Sequence, residues 1–241
     1  MRLVAFVAAL TFASIASAAP FPFAQWDALL KKHVDPKGRV DYAAVDRAAV
    51  DKLVAAVATF SPKRNADDKA FYLDAYNVLV WKSVLDRLPK LKSVLSDKDS
   101  FFYTTRFAVA GEQLSLDELE NKIGRPRFKD PRVHFALNCA SAGCPELPRE
   151  AFTPDKVDTQ LSREAKKFCN EQRNVDFDAA TKKLKLSHIF DWYKDDFGKE
   201  PAKVIAWINQ YRAADAKLPT DAKIEYVDYD WTLNDQHLLK R

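Results

Sequence analysis

Residues 107–123 read FAVAGEQLSLDELENKI. Phe107–Ala110 and Gln113–Leu116 are two short apolar-containing runs separated by Gly111-Glu112, the signature of a tight hairpin. Ser115 followed three residues later by Glu118 forms a capping box, so the second strand is expected to pass directly into a helix through Ile123. Here strands pair with their chain neighbours instead of alternating with helices. Upstream, Trp26, Leu29, Leu30 and Val34 recur at helical intervals, and Val45, Val50, Leu53 and Val57 continue the pattern after Gly38. Phe71–Leu88 carries the strongest helical pattern, stopped by Pro89. Downstream, Thr153 and Pro154 open a helix that runs to about Asn170. Val175–Phe177 and Lys183–Leu186 form a second hairpin. Ser187 caps a helix over His188–Phe197 that ends at Gly198. A helix over Ala202–Arg212 and a strand over Ile224–Val227 follow. With no repeat, linker or shift in composition, the pattern predicts an α+β class. It is read as a helix-rich single domain over residues 19–241, with short antiparallel hairpins and a central strand-turn site.

The N-terminus reads as an export signal over residues 1–18. Arg2 precedes an apolar Leu3–Leu10 run, and Ala16-Ser17-Ala18 is a small-residue cleavage pattern. The run is too short for a membrane span, and no later segment is long and apolar enough for one. A periplasmic or secreted protein, in an oxidising compartment, is the expectation. The net charge of +4 becomes +3 once Arg2 is removed (4 − 1), too mild to imply nucleic acid. Arg125, Arg127, Lys129 and Arg132 are broken up by Pro126, Asp130 and Pro131, and read as a solvated loop. With 47% hydrophobic residues and 30% charged ones, the chain has material for a substantial core.

The densest chemistry lies in Val133–Pro145, VHFALNCASAGCP. An apolar run carrying His134, read as a strand, empties into a turn holding Asn138, Cys139, Ser141, Gly143, Cys144 and Pro145. Such strand ends present reactive groups on a rigid frame.

Six segments taken in order closely resemble the family of domains of unknown function 547. They are GRVDY (Gly38–Tyr42), AYN (Ala75–Asn77), SLDELE (Ser115–Glu120), DPRVHFALNCASAGCP (Asp130–Pro145), LSHIFDWYKDDF (Leu186–Phe197) and YDWTLN (Tyr229–Asn234). The resemblance spans Asp27–Asn234 and implies one domain, of a family without an assigned activity. His188 stands where the resemblance implies lysine.

Two chemistries fit the central motif. In the first, Cys139 is a nucleophile, His134 its base and Glu120 the group that orients His134. Asn77, Asn138 and Ser141 then contact substrate, and the turn amides of Ser141–Gly143 hold an oxyanion. This describes a thiol-dependent hydrolase or acyl-transfer enzyme acting on a peptide or amide. In the second, Cys139 and Cys144 form a structural disulfide and the protein is a non-catalytic binding domain for a small molecule, a peptide or a partner. Zinc is disfavoured because His134, Cys139 and Cys144 lack the paired spacing of zinc sites, and no cofactor is implied. Cys169 reads as a buried helix residue left unpaired. Trp192, Tyr193 and Phe197 read as core aromatics, and Asp230, Trp231 and Asn234 as a closing turn. Asn77, polar within an apolar helix, must find a partner.

Overall fold

The computed structural model describes residues 20–239, and the expected signal segment lies outside them. Three helices build the first half: α1 (Phe23–His33), α2 (Arg47–Thr59) and α3 (Ala66–Arg87). Asp46 caps α2 by accepting from Ala48 N, and Asn65 caps α3 by accepting from Asp67 N. Every residue of α3 from Ala70 to Trp81 is buried, so this helix crosses the interior instead of lying on it. Its Trp81 meets Trp26 of α1 edge to face, ring centroids 4.8 Å apart. Asp74 is also buried there; its Oδ1 accepts from Trp26 Nε1 at 3.1 Å and from Phe152 N at 3.3 Å. Burial pushes its carboxyl well above the usual range, against the opposing effect of these two hydrogen bonds.

The hairpin forms as expected, from β1 (Phe107–Val109) and β2 (Glu112–Leu114), with Phe107 opposite Leu114. Ala110 and Gly111 both take positive φ in its turn (49° and 83°). The capping box forms too: Ser115 Oγ accepts from Glu118 N, and Glu118 Oε2 accepts from Ser115 N. The helix it opens, α4 (Leu116–Glu118), widens at once into a π-helical turn, Leu119–Gly124, and continues as α5 (Arg125–Phe128). A second π-helical turn covers Asp99–Thr104.

The segment carrying His134 is not a strand. Pro131–Phe135 is a 3₁₀ helix, capped by Asp130, whose Oδ1 accepts from Arg132 N. Pro131 at the first helical position pre-sets the turn. Four consecutive residues, Val133–Ala136, are buried because the turn sits between packing regions. Val133 and Ala136 pack with Leu73, Phe152 and Leu161, while Phe135 enters the second core.

That second core lies between α6 (Val157–Asn170), a three-stranded sheet and two further helices. β3 (Val175–Asp178) and β4 (Lys183–Ser187) pair antiparallel, with Val175 opposite Leu186. β5 (Lys223–Val227) then adds to β4 in parallel, after a crossover through α7 (Ile189–Trp192) and α8 (Pro201–Asn209). That parallel pair departs from the hairpin pairing expected of the strands. Helix α6 starts after Thr153-Pro154 because the Gln160 amide accepts from Thr153 N and donates to Ala151 O, holding the lead-in as a turn. The helix expected over His188–Phe197 is a single turn followed by further turns to Gly198.

The basic cluster keeps Arg127 and Lys129 exposed, but its three arginines are paired and two of them lie on α5. Arg127 pairs with the fully buried Asp68, Arg125 with Asp196, and Arg132 with Asp130 and Asp158.

The closing turn at Asp230–Asn234 is a clasp between distant parts of the chain. Ala142 N donates to Thr232 O, Gly143 N to Asp230 O, Asn234 N to Ala140 O, and Val40 N to Asn234 O. Asn234 Oδ1 accepts from Tyr42 OH at 2.9 Å while its Nδ2 donates to Asn138 Oδ1 at 3.1 Å.

Candidate functional site

Residues 136–145 form a loop held by the backbone bonds of the clasp and by side chains behind it. Asn77 of α3 donates from Nδ2 to Ala136 O at 3.0 Å and accepts from Asn138 N at 2.9 Å. Asn138 in turn donates to Pro145 O and accepts from Ala140 N, both across the loop. These bonds hold Ala140 at φ +63°, a left-handed conformation unusual for alanine. Gly143 lies against the clasp: a Cβ there would stand 3.0 Å from Asp230 N and from the Tyr229 ring.

Within this loop Cys139 and Cys144 are joined in a disulfide, Cα atoms 6.4 Å apart, and Cys169 is free and buried. Burial pushes the Cys169 thiol up to about 12. Ser141 Oγ lies 3.1 and 3.3 Å from the two bridged sulfurs, and Tyr229 OH lies 3.2 Å from that of Cys144.

The bridge lines a cleft of about 430 Å³. Both π-helical turns border it: Lys98, Phe102 and Tyr103 come from the first and its approach, Glu120 and Asn121 from the second. Widened turns of this kind recur at functional sites. Asp117 of α4 stands beside Asn121, whose Nδ2 donates to Asp117 Oδ1 at 2.8 Å. Much of the remaining lining is aromatic. Trp192, Tyr229 and Trp231 are mutual neighbours, with ring centroids 4.6 to 5.5 Å apart. Trp192 nonetheless stays 45% exposed.

His134 also reaches the cleft, but Glu120 does not orient it. Its Nε2 lies 2.7 Å from Asp196 Oδ2, which also accepts from Arg125 Nε at 2.8 Å. The hydrogen bond from His134, reinforced by Arg125, holds the Asp196 carboxyl well below the usual range against the opposing effect of burial. His134 Nδ1 is buried without a hydrogen-bond partner. The imidazole stacks on Tyr193, centroids 3.9 Å apart. Glu120 meets Tyr193 instead, accepting from its hydroxyl at 2.6 Å. Burial first, then the Glu120 charge, raises the Tyr193 phenol far above its ordinary value, and Tyr76 is raised in the same way.

The sequence-derived site is therefore only partly assembled. His134, Glu120, Cys139 and Cys144 share the cleft. Asn77, Asn138 and Ser141 stand behind it, their polar atoms spent on the loop and the bridge. Two of the three expected oxyanion donors are also engaged: Ala142 N and Gly143 N bond the clasp. Asp196 and the aromatic wall were missed. Asp196 is one of two adjacent aspartates in KDDF, with nothing to single it out, and an exposed tryptophan on a short helix has the same letters as a buried one.

Among the described residues, no group of three or more His, Cys, Asp or Glu is placed to hold a metal ion, and no helix is long and apolar enough to cross a membrane.

Fold and cleft together define an α+β protein with a disulfide-bearing, aromatic-walled cleft. The family model described as "Protein of unknown function, DUF547" matches residues 61–169, which supports the resemblance read from the sequence. The match covers AYN, SLDELE and the central motif; GRVDY, LSHIFDWYKDDF and YDWTLN lie outside it. No curated protein and no solved structure matches the chain.

Proposed function

We propose that this is an exported ligand-binding domain whose cleft, walled by aromatic rings and floored by a structural disulfide, takes a small organic ligand. One observation carries the reading: both cysteines that the central motif offers to the cleft are tied up in the Cys139–Cys144 bridge. A bridged sulfur is not a thiolate and cannot attack a carbonyl. What the cleft does present is concave and more apolar than polar, with a few polar groups, the usual make-up of a small-molecule site. A disulfide also suits the periplasmic or secreted location that the N-terminal pattern supports.

A second reading is kept by a specific geometry. His134, oriented by Asp196 and with Nδ1 unpartnered, lines the same cleft as Cys139. After reduction by a dithiol, Cys139 would regain a thiol near an oriented imidazole, as thiol-dependent hydrolysis or acyl transfer requires.

Turnover of p-nitrophenyl acetate by the mature protein, measured with and without dithiothreitol, separates the two. The binding-domain reading expects no turnover in either state beyond that of the Cys139→Ala variant. Turnover that appears only on reduction and vanishes in both Cys139→Ala and His134→Ala overturns it in favour of the thiol enzyme.

A further inference from the structure

We propose that the ligand of this cleft is a saccharide, its ring packed on the Trp192–Trp231–Tyr229 wall and its hydroxyls donating to Asp117 and Glu120. This rests on the reading that the cleft is a ligand site and adds the chemical class it selects.

The cleft's lining is of two kinds. One is ring surface. Trp192 has Tyr229 at 4.8 Å and Trp231 at 5.5 Å, yet 45% of it remains open to solvent. Three rings that pack on one another offer an apolar platform, and a preformed platform lowers the entropic cost of packing a ligand on it. The other is a pair of hydrogen-bond acceptors. Glu120 is anchored by Tyr193, and Asp117 uses Oδ1 on Asn121. A ligand that matches both must carry apolar C–H faces and several O–H donors on one compact ring. A pyranose does.

Other classes fit less well. An extended peptide is usually gripped by free backbone groups at a strand edge. The loop beside the cleft has none to give from its amides at 139, 140, 142 and 143: they donate to Cys144 Sγ, Asn138 Oδ1, Thr232 O and Asp230 O. An anionic ligand would meet Lys98 but also two carboxylates. A quaternary ammonium is recognised by rings arranged as a box around it. Here Trp192, Tyr229 and Trp231 pack on each other as one wall, and Tyr76, Phe102, Tyr103 and Tyr193 also line the cleft, so a quaternary ammonium is the competing class that the titration must separate.

The experiment is a tryptophan-fluorescence titration of the mature protein, with calorimetry in parallel. The probes are cellotriose, triacetylchitotriose, trialanine and tetramethylammonium. Saturable binding of at least one of the two sugars is expected. It should weaken by about tenfold or more in Trp192→Ala, equivalent to about 1.4 kcal/mol, and severalfold in Asp117→Asn. Far-UV circular dichroism and Tm of both variants check that they fold, and Asp117→Asn keeps the test open should Trp192→Ala fail to. Sugar binding unaffected by either substitution overturns the proposal. Binding of trialanine or tetramethylammonium alone, lost in Trp192→Ala, overturns the saccharide but leaves the cleft as the ligand site. No saturable binding by any probe overturns both.

Discussion

Replacing Asn77 with alanine tests whether one buried amide holds the site loop in place. In the folded protein its Nδ2 donates to Ala136 O at 3.0 Å and its Oδ1 accepts from Asn138 N at 2.9 Å. Both partners are backbone groups, and Asn77 itself is only 2% exposed. Alanine removes the amide but not the groups it served, leaving a carbonyl and an N–H buried without partners. Each such group costs about 1–3 kcal/mol, so the variant should lose about 2–6 kcal/mol. For a protein of this size that is a fall in Tm of roughly 4–24 °C. Urea denaturation should show a lower midpoint at an unchanged slope. Hydrogen exchange should localise the effect, with the Asn138 amide losing protection beyond what the lower global stability accounts for. A Tm within about 1 °C of the parent, with the Asn138 amide still protected, would refute the reasoning and return Asn77 to the candidate substrate contacts.

Non-reducing peptide mapping should recover Cys139 and Cys144 in one linked pair; Cys169, buried and with its thiol raised to about 12, should alkylate only after unfolding. Recovery of Cys139 and Cys144 separately alkylated from air-oxidised protein would contradict this. Asp196 has its pKa depressed in the folded state, so its stabilisation is present above the unfolded value of about 3.9 and is lost as pH falls toward the folded one. The stability gap between the parent and Asp196→Asn, read from urea midpoints, should therefore be widest near pH 6 and should narrow below about pH 4. Ser115→Ala removes the cap that starts α4 and should cost about 1 kcal/mol, measured by the same urea titration; a change below about 0.3 kcal/mol would show the cap to be redundant. Gly143→Ala places a methyl 3.0 Å from the Tyr229 ring and should shift the tryptophan emission of the adjoining wall, and an unchanged spectrum with unchanged Tm would show that the clasp yields freely.

Local signals carried much of the fold. The capping box at Ser115 and Glu118, the hairpin at Gly111 and the apolar period of α3 act within a few residues, and all three form where their letters place them. The reading of Val133–Phe135 as a strand failed because a short apolar run has no period of its own. What decided it was Asp130-Pro131 immediately before, a cap and a pre-set first helical position. The parallel pairing of β5 with β4 was illegible for a different reason. It is a contact across a crossover of 35 residues (Ser187 to Lys223, exclusive), and β5 carries no neighbour-strand signal.

The site divides along the same line. That His134, Glu120, Cys139 and Cys144 would share one place was readable, because the motif packs three of them within eleven residues, 134 to 144, and Glu120 lies one short helix away. Their roles were not readable, since a role depends on which atom reaches the residue from elsewhere. Glu120 was assigned to His134 by proximity in the chain. In the fold the tyrosine between them takes its carboxylate, and Asp196, 62 residues beyond the histidine, takes the imidazole. Asn138 and Ser141 have the polarity of substrate contacts. A loop that turns through a left-handed alanine and carries a disulfide has internal donors and acceptors to satisfy first, and these two residues serve them. The residues left facing the cleft are those the loop did not need, which is why its open wall is aromatic and contributed by Trp192, Tyr229 and Trp231 from outside the central motif.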